Sequence, residues 1–190
     1  MKNATKKAIA EALKHLLLKK PITKITINDI AEECGISRMT FYYHFKDIYD
    51  LVEWICEEEA RSVISDNRTY ETWEQGFLSL LETFKANKPF VMNIYHSVER
   101  EQIERYMLRL VEKLLDDVVR EQAYGLKISD AGKHSVSAFY TYAFLGVVLE
   151  WVRGGMIIAP QEVVRSTATI IQGDFRNSLE NVSRMETGAK

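Results

Sequence analysis

Apolar residues recur along almost the whole chain at spacings of three and four, and nowhere do they alternate over a strand's length, so the pattern predicts helices throughout. Asn3 can cap a first helix to about Lys19, with Ile9, Leu13 and Leu16 inside and lysines outside, before Lys20-Pro21 stops it. Thr26, with Asp29 three residues on, begins a second helix, kept short by Gly35. Ser37 caps a third helix to about His44, and Asp47 a fourth from about Ile48 to Ser65. A fifth is expected over about 70–86, a short one from Pro89, and a long amphipathic one over about 97–123, capped by Ser97. Ile103, Met107, Leu110, Leu114 and Val118 line one face of that long helix, and Gly125 ends it.

Two further helices complete the pattern. Ser129 can cap one that reaches Arg153 and is apolar almost all round between Val136 and Val152, which predicts burial on every side. Pro160 opens the last, to about residue 183, in which Val164, Ala168, Ile171, Phe175, Leu179 and Val182 follow a near-heptad spacing. That seam suits a partner helix, and the tail beyond it is polar. The pattern is therefore all-α, with about nine helices.

Composition sharpens this picture in two ways. A chain of 190 residues with 46% hydrophobic and 27% charged residues is ordinary for a globular protein with a real core. The net charge of −2 hides an asymmetry, because residues 1–50 carry nine Lys and Arg against six Asp and Glu. A basic N-terminal unit on an acidic remainder suits a head that meets a polyanion. Cys34 and Cys56 lack metal or redox spacing and read as buried thiols in a reducing cytosol. No secretory leader pattern opens the chain, and the longest uncharged stretch, Ser135–Leu149, falls short of a bilayer span. A cytoplasmic protein without a membrane partner is expected.

The chemistry concentrates between Thr26 and Phe45. Two short helices crossing steeply need a small residue at the crossing, here Ala31, and a turn residue that tolerates positive φ, here Gly35. Ile30, Cys34, Ile36 and Phe41 are spaced to fill the wedge between them, and Ser37 leaves the second helix's first amides beside any bound phosphate. Arg38, Met39, Thr40, Tyr42 and Tyr43 are then exposed on a helix that fits a DNA major groove, with Arg38, Met39 and Thr40 as base readers. Tyr42, Tyr43 and Lys46 are placed for phosphates, which fix register. His44 reads as a packed aromatic or a phosphate neighbour rather than a catalyst or metal ligand. The basic stretch Lys2–Lys7 is either an arm toward DNA or a solvated terminus.

Gly35-Ile36-Ser37, Thr40, Tyr42-Tyr43-His44-Phe45, Lys46 and Leu51 together resemble the DNA-binding domain of the TetR/AcrR family of regulators, over about residues 5–52. Met39 stands where that family often has a small residue, and Ile48 where a second lysine is common. The resemblance implies an all-helical homodimer whose last two helices form a four-helix bundle with the partner. The stretch Tyr142–Met156 is more loosely similar to the branch that includes dihydroxyacetone-kinase regulators. The expected domains are 1–48, a three-helix helix-turn-helix unit; 49–185, a helical regulatory and dimerisation unit; and 186–190, a disordered tail.

The expected function is a sequence-specific regulator, a repressor by the family resemblance, acting as a homodimer on a palindromic operator in double-stranded DNA. A small-molecule effector or a co-regulator protein would switch it. The alternatives are an activator working with a partner protein, or an interaction module that no longer binds DNA. Thr26, Ser37, Arg38, Met39, Thr40, Tyr42, Tyr43 and Lys46 are the candidate DNA contacts. Val164, Ala168, Ile171, Phe175 and Leu179 are the candidate dimer contacts, and Tyr95, His96, Tyr142 and Trp151 the candidate effector contacts. Glu150, a charge in the most apolar helix, is expected to pair with Arg153 or a partner's cation, the alternative being that it faces a polar effector. No phosphate-binding glycine loop, G-x-S-x-G, HExxH or paired Cys/His set is present, so neither an enzyme, a cofactor nor a metal is expected.

Overall fold

A computed structural model describes residues 2–64, 69–97 and 100–188, which form ten α-helices and one short 3-10 turn, Ile22–Lys24, with no strand among the described residues. The helices are α1 (Lys2–Leu17), α2 (Ile27–Cys34), α3 (Arg38–His44), α4 (Ile48–Ile64), α5 (Trp73–Ala86), α6 (Lys88–Ser97), α7 (Arg100–Gln122), α8 (Asp130–Arg153), α9 (Pro160–Ile171) and α10 (Asp174–Gly188). The all-α expectation holds. Asn3 lies inside the first turn of α1 rather than capping it, and Ser97 closes α6 rather than opening the next helix.

Two compact units divide the chain, one made of Met1–Glu59 with Asn87–Tyr106, the other of Ala60–Ala86 with Met107–Lys190. The division falls elsewhere than the expected boundary after residue 48, because α6 packs on α1. Asn93 of α6 accepts from the Ile22 backbone N–H at 3.0 Å and donates to the carbonyls of Leu17 and Lys20 at 3.3 and 3.5 Å. One amide side chain thereby satisfies backbone groups that the end of α1 leaves open. Ile9, Leu13, Ile30, Phe41, Leu51 and Val52 are completely buried and form this unit's core.

In the second unit Phe175 is the centre of an aromatic cluster. Its ring lies 4.3 Å from Tyr140, 6.2 Å from Trp73 and 6.4 Å from Tyr70, and Phe144 packs on Trp73 and Phe77 at 5.5 and 4.9 Å. Edge and tilted ring geometries of this kind add to the burial of aromatic area. On α7, Met107, Leu114 and Val118 are buried as expected, while the side chains of Ile103 and Leu110 lie outside the described residues.

Three expectations are overturned here. The continuous last helix is two helices, because Gly173 adopts φ +78° and ends the run begun at Pro160. The near-heptad seam does not face outward. Val164, Phe175 and Leu179 are buried in the subunit's own core, and Ala168 and Ile171 are half-buried. Finally, α8 is not buried on every side. Phe139, Tyr142, Ala143 and Gly146 are exposed along one face, and of its most apolar stretch, long enough to span a bilayer by length and composition, only 50% is buried. The chain also stays helical through Gly188, past the start of the expected tail at Glu186.

Glu186 has a structural part. It accepts from the Ser129 N–H at 2.8 Å and from the Ser129 hydroxyl at 2.6 Å, while that hydroxyl caps α8 by accepting from Gly132 N–H at 3.0 Å. Bonds from the Ser129 side chain and backbone hold the Glu186 carboxyl below its ordinary range. This close crossing of α8 and α10 needs a glycine. A Cβ at Gly132 would stand 2.8 Å from Ile128 Cγ1 and 2.9 Å from Val182 Cγ1. Gly132→Ala is expected to lose about 1–2 kcal/mol in urea unfolding, overpacking outweighing the ~1 kcal/mol gained in helix propensity. A neutral or stabilising change would show that the crossing has slack.

Candidate nucleic-acid interface

Three local devices set α3 in place. At Thr26 a complete capping box opens α2: the hydroxyl accepts from Asp29 N–H at 3.2 Å, and the Asp29 carboxylate accepts from Thr26 N–H at 2.7 Å. Asp29 also accepts from the Thr26 hydroxyl at 2.8 Å and pairs with Lys20 at 2.9 Å. The Thr26 backbone bond, then the Lys20 bond, then the Thr26 hydroxyl hold the Asp29 carboxyl down at about 2.

Gly35 then turns the chain with φ +69°, and a Cβ there would meet nothing within 4 Å. Backbone conformation, not space, reserves that position for glycine. Ser37 caps α3, accepting from Thr40 N–H at 3.1 Å, with the two hydroxyls 2.9 Å apart.

Burial decides which side of α3 faces out. Phe41 is wholly buried with Ile30 and Ala31, and Phe45 follows it into the core, 5.8 Å from Trp54. The Lys6 ammonium sits 5.1 Å over the Phe45 ring and 5.5 Å over Trp54, a cation–π clasp on the base of the helix. Cys34 and Ile36, expected to fill the wedge, are only half-buried, though burial still pushes the Cys34 thiol up. His44 is half-buried against Tyr43 and Phe45, at 5.0 and 6.4 Å.

The outward face of α3 and its C-terminal edge present Arg38, Met39, Tyr42, Tyr43 and Lys46, all exposed. Thr40 is half-buried and its hydroxyl is committed to Ser37, and the Thr26 hydroxyl is committed to Asp29. These two and Ser37 thus position the helices. Exposed free donors lie elsewhere.

Electrostatics single out the same face. The cations of α1 and the turn after it are mostly spent on neighbours: Lys7 with Glu58 at 3.9 Å, Lys14 with Glu59 at 2.6 Å and Glu11 at 3.3 Å, Lys19 with Glu33 at 3.9 Å, and His15 with Glu33. Burial lowers the Lys14 pKa, but its bond to Glu59 and the two carboxylate charges outweigh that and leave it raised. Because α1 is helical from Lys2, residues 2–7 are not a free arm. Arg38 and Lys46 make no ion pair among the described residues, and neither does Lys24 in the turn before Thr26. Sequence reasoning missed Lys24, since a lysine in a loop carries no signal of its own.

The expected effector residues divide between the two units. Tyr95 and His96 are neighbours on α6 in the first unit, 5.4 Å apart. Tyr142 and Trp151 lie on α8 in the second, Tyr142 exposed and Trp151 buried with its indole N–H donated to the Ile158 carbonyl at 2.9 Å. Glu150 is exposed and pairs with Arg153 at 2.6 Å. Two open grooves mark the second unit. One lies between α5 and α9–α10, with Tyr70, Trp73, Glu74, Arg165 and Gln172 around it. The other runs along α8 and α9, with Ala143, Gly146, Glu150, Ile158 and Ser166.

Comparison with known proteins bears on both units. The family described as "Bacterial regulatory proteins, tetR family" matches residues 6–55, and "Transcriptional regulator C-terminal region" matches residues 71–173, more than half of the chain. The HTH-type dhaKLM operon transcriptional activator DhaS of Lactococcus lactis is 34% identical over 118 residues, 62% of this chain and 62% of that protein. The HTH-type regulator YerO of Bacillus subtilis is 42% identical over 121 residues, 57% of this chain and 42% of its own length. The matched regions thus span less than two thirds of either relative. Among solved structures, the dihydroxyacetone kinase operon activator DhaS superposes with a TM-score of 0.71 at 26% identity, covering 90% of this chain and 96% of that one. A TetR regulator from Streptococcus agalactiae, at 20% identity, a TM-score of 0.62 and cover of 90% and 94%, shares the fold.

The capping box gives a pH signature. A depressed carboxylate stabilises the fold above its ordinary pKa of 3.8, and that contribution is lost as pH falls toward the folded value of about 2. Asp29→Asn is therefore expected to lower the thermal midpoint by a constant amount above about pH 4, with the gap closing between pH 4 and 2. A gap unchanged across that window, in melts followed by circular dichroism, would assign the effect to something other than the charge.

Proposed function

The chain belongs to the tetR family of bacterial regulatory proteins, and from that premise we propose that it acts as a homodimer reading a two-fold-symmetric DNA operator through two copies of α3. It is a transcriptional regulator and not an enzyme. The observation that carries the DNA reading is that Arg38 and Lys46, outward at the two ends of a helix fixed from behind by Phe41, make no ion pair among the described residues. Arg38 is suited to guanine in the major groove, and Lys46, Tyr42 and Tyr43 to phosphates that set register. The helix-turn-helix within the first unit serves as the reading head and the second unit as the regulatory and dimerising body, at work in the cytoplasm where the DNA is.

Dimerisation is assigned to the exposed face of α8 and its continuation on α9. Phe139 and Tyr142 are 68% and 63% exposed, Ile170 is 75% exposed, and Ala143 and Gly146 lie one turn on from the two aromatics. A glycine inside a helix costs about 1 kcal/mol relative to alanine, and Gly146 meets nothing in its own subunit that would require it. Close approach of a second copy supplies the reason. The interface uses this face in place of the buried seam of Val164, Phe175 and Leu179.

Control follows from geometry. Two half-sites on one DNA face lie about 34–36 Å apart or at multiples of that, so an effector or co-regulator that changes the separation of the two α3 helices weakens binding. The groove bounded by Tyr70, Trp73 and Arg165 is the candidate effector site on the second unit. Repression is the sense expected from the family. Activation is the second reading, carried by the likeness to DhaS, whose name calls it an activator. A reporter driven from the bound operator decides between them: loss of the regulator raises output for a repressor and lowers it for an activator.

Two measurements test the rest. Anisotropy titrations on genomic fragments should show affinity falling steeply with salt, and Lys46→Ala should reduce the logarithmic salt slope by about 1. Absent or salt-insensitive binding would favour the interaction module instead. Gly146→Leu should leave the subunit folded, since nothing lies within 4 Å of an added Cβ, while sedimentation shows monomers. An unchanged dimer would place the interface elsewhere.

A further inference from the structure

We propose that Met39 reads the C5-methyl group of a thymine in each operator half-site, making it a specificity residue beside Arg38. The inference rests on the reading of α3 as a DNA-reading helix and adds the chemistry it recognises. Met39 is 78% exposed, more than any other large apolar side chain described in the first unit. It is the second residue of α3, within the N-terminal turn that reaches base edges in a docked helix-turn-helix. Its neighbours on the outward face are Arg38, Tyr42 and Tyr43, and no acidic residue lies within α3.

The major groove presents hydrogen-bonding edges at every base pair but only one apolar group, the thymine methyl. A thioether on an unbranched chain can match that group, and it can adapt to the local width of the groove. Thr40, the other side chain here with a methyl group, is half-buried and bonded to Ser37, which leaves Met39 as the apolar contact. Arg38 on guanine next to Met39 on thymine would give each half-site one polar and one apolar mark.

The test uses the full-length protein and a duplex selected with it from a random-sequence pool. Each thymine in the selected duplex is replaced in turn by deoxyuridine, which keeps every hydrogen-bonding edge and removes only the methyl. One thymine in each half-site should lose about fourfold in affinity on replacement, the effect of one buried methyl group, and replacement of both should cost about fifteenfold. Met39→Ala should bind the thymine and uracil duplexes equally at that position, while Arg38→Ala, though weaker, should keep the methyl dependence. Matching thermal melts show that the variants fold. The inference is overturned if no half-site thymine is sensitive, or if Met39→Ala retains the full sensitivity. A pool that enriches no sequence would instead overturn the DNA-reading role of α3 itself.

Discussion

A helix of seven residues cannot sustain itself in water, because its nucleation cost is met by too few hydrogen bonds. Everything that α3 offers to a partner therefore depends on what lies behind it. Phe41 is completely buried one turn into the helix and Phe45 nearly so at its end, and this pair fixes both the position of α3 and its rotation. With the inner side committed, Arg38, Met39, Tyr42, Tyr43 and Lys46 have no surface left to meet but the outer one. The caps at Thr26 and Ser37 finish the helix ends, and the left-handed turn at Gly35 sets the crossing.

The second unit is organised by a different constraint, the need to enclose a single aromatic ring. Phe175 draws Tyr70, Trp73 and Tyr140 around it from two distant parts of the sequence. Gly132 lets α8 and α10 approach closely enough to keep that core shut. What the cluster does not use is the opposite face of α8, where aromatic and small side chains remain in the open. A helix of this composition is costly to leave uncovered, and α9 also carries an exposed isoleucine, Ile170.

The first fifty residues were legible because their signals are local. A capping pair, a glycine needing positive φ and an aromatic anchor act within a few residues, so Thr26, Gly35, Ser37 and Phe41 could be placed from spacing alone. The burial state of Cys34 and Ile36 could not, since it depends on what crosses above them. In the second unit the period alone misleads. Val164, Phe175 and Leu179 do form an apolar stripe, but periodicity cannot say whether its partner is the same chain or another. The break at Gly173 was also missed, because a single glycine in a helical pattern is as often tolerated as not. Asn93 had no sequence signature at all. Its importance comes from backbone groups about seventy residues away, which only the folded chain brings near it.

That asparagine also bears on how the molecule can be taken apart. A reading head whose helix ends are completed by a stretch beyond residue 86 is not a cassette. Cutting the chain after α3 or α4 removes the acceptor for Ile22 and the donor for Leu17 and Lys20 together. In a chimera, or in descent by exchange of modules, the head would have to travel with α6, and the two pieces would have to be re-joined around whatever body replaced α5. The seam along which this protein can be recombined is thus crossed three times by its chain, so substitutions in α6 are answerable to the head as well as to their own helix.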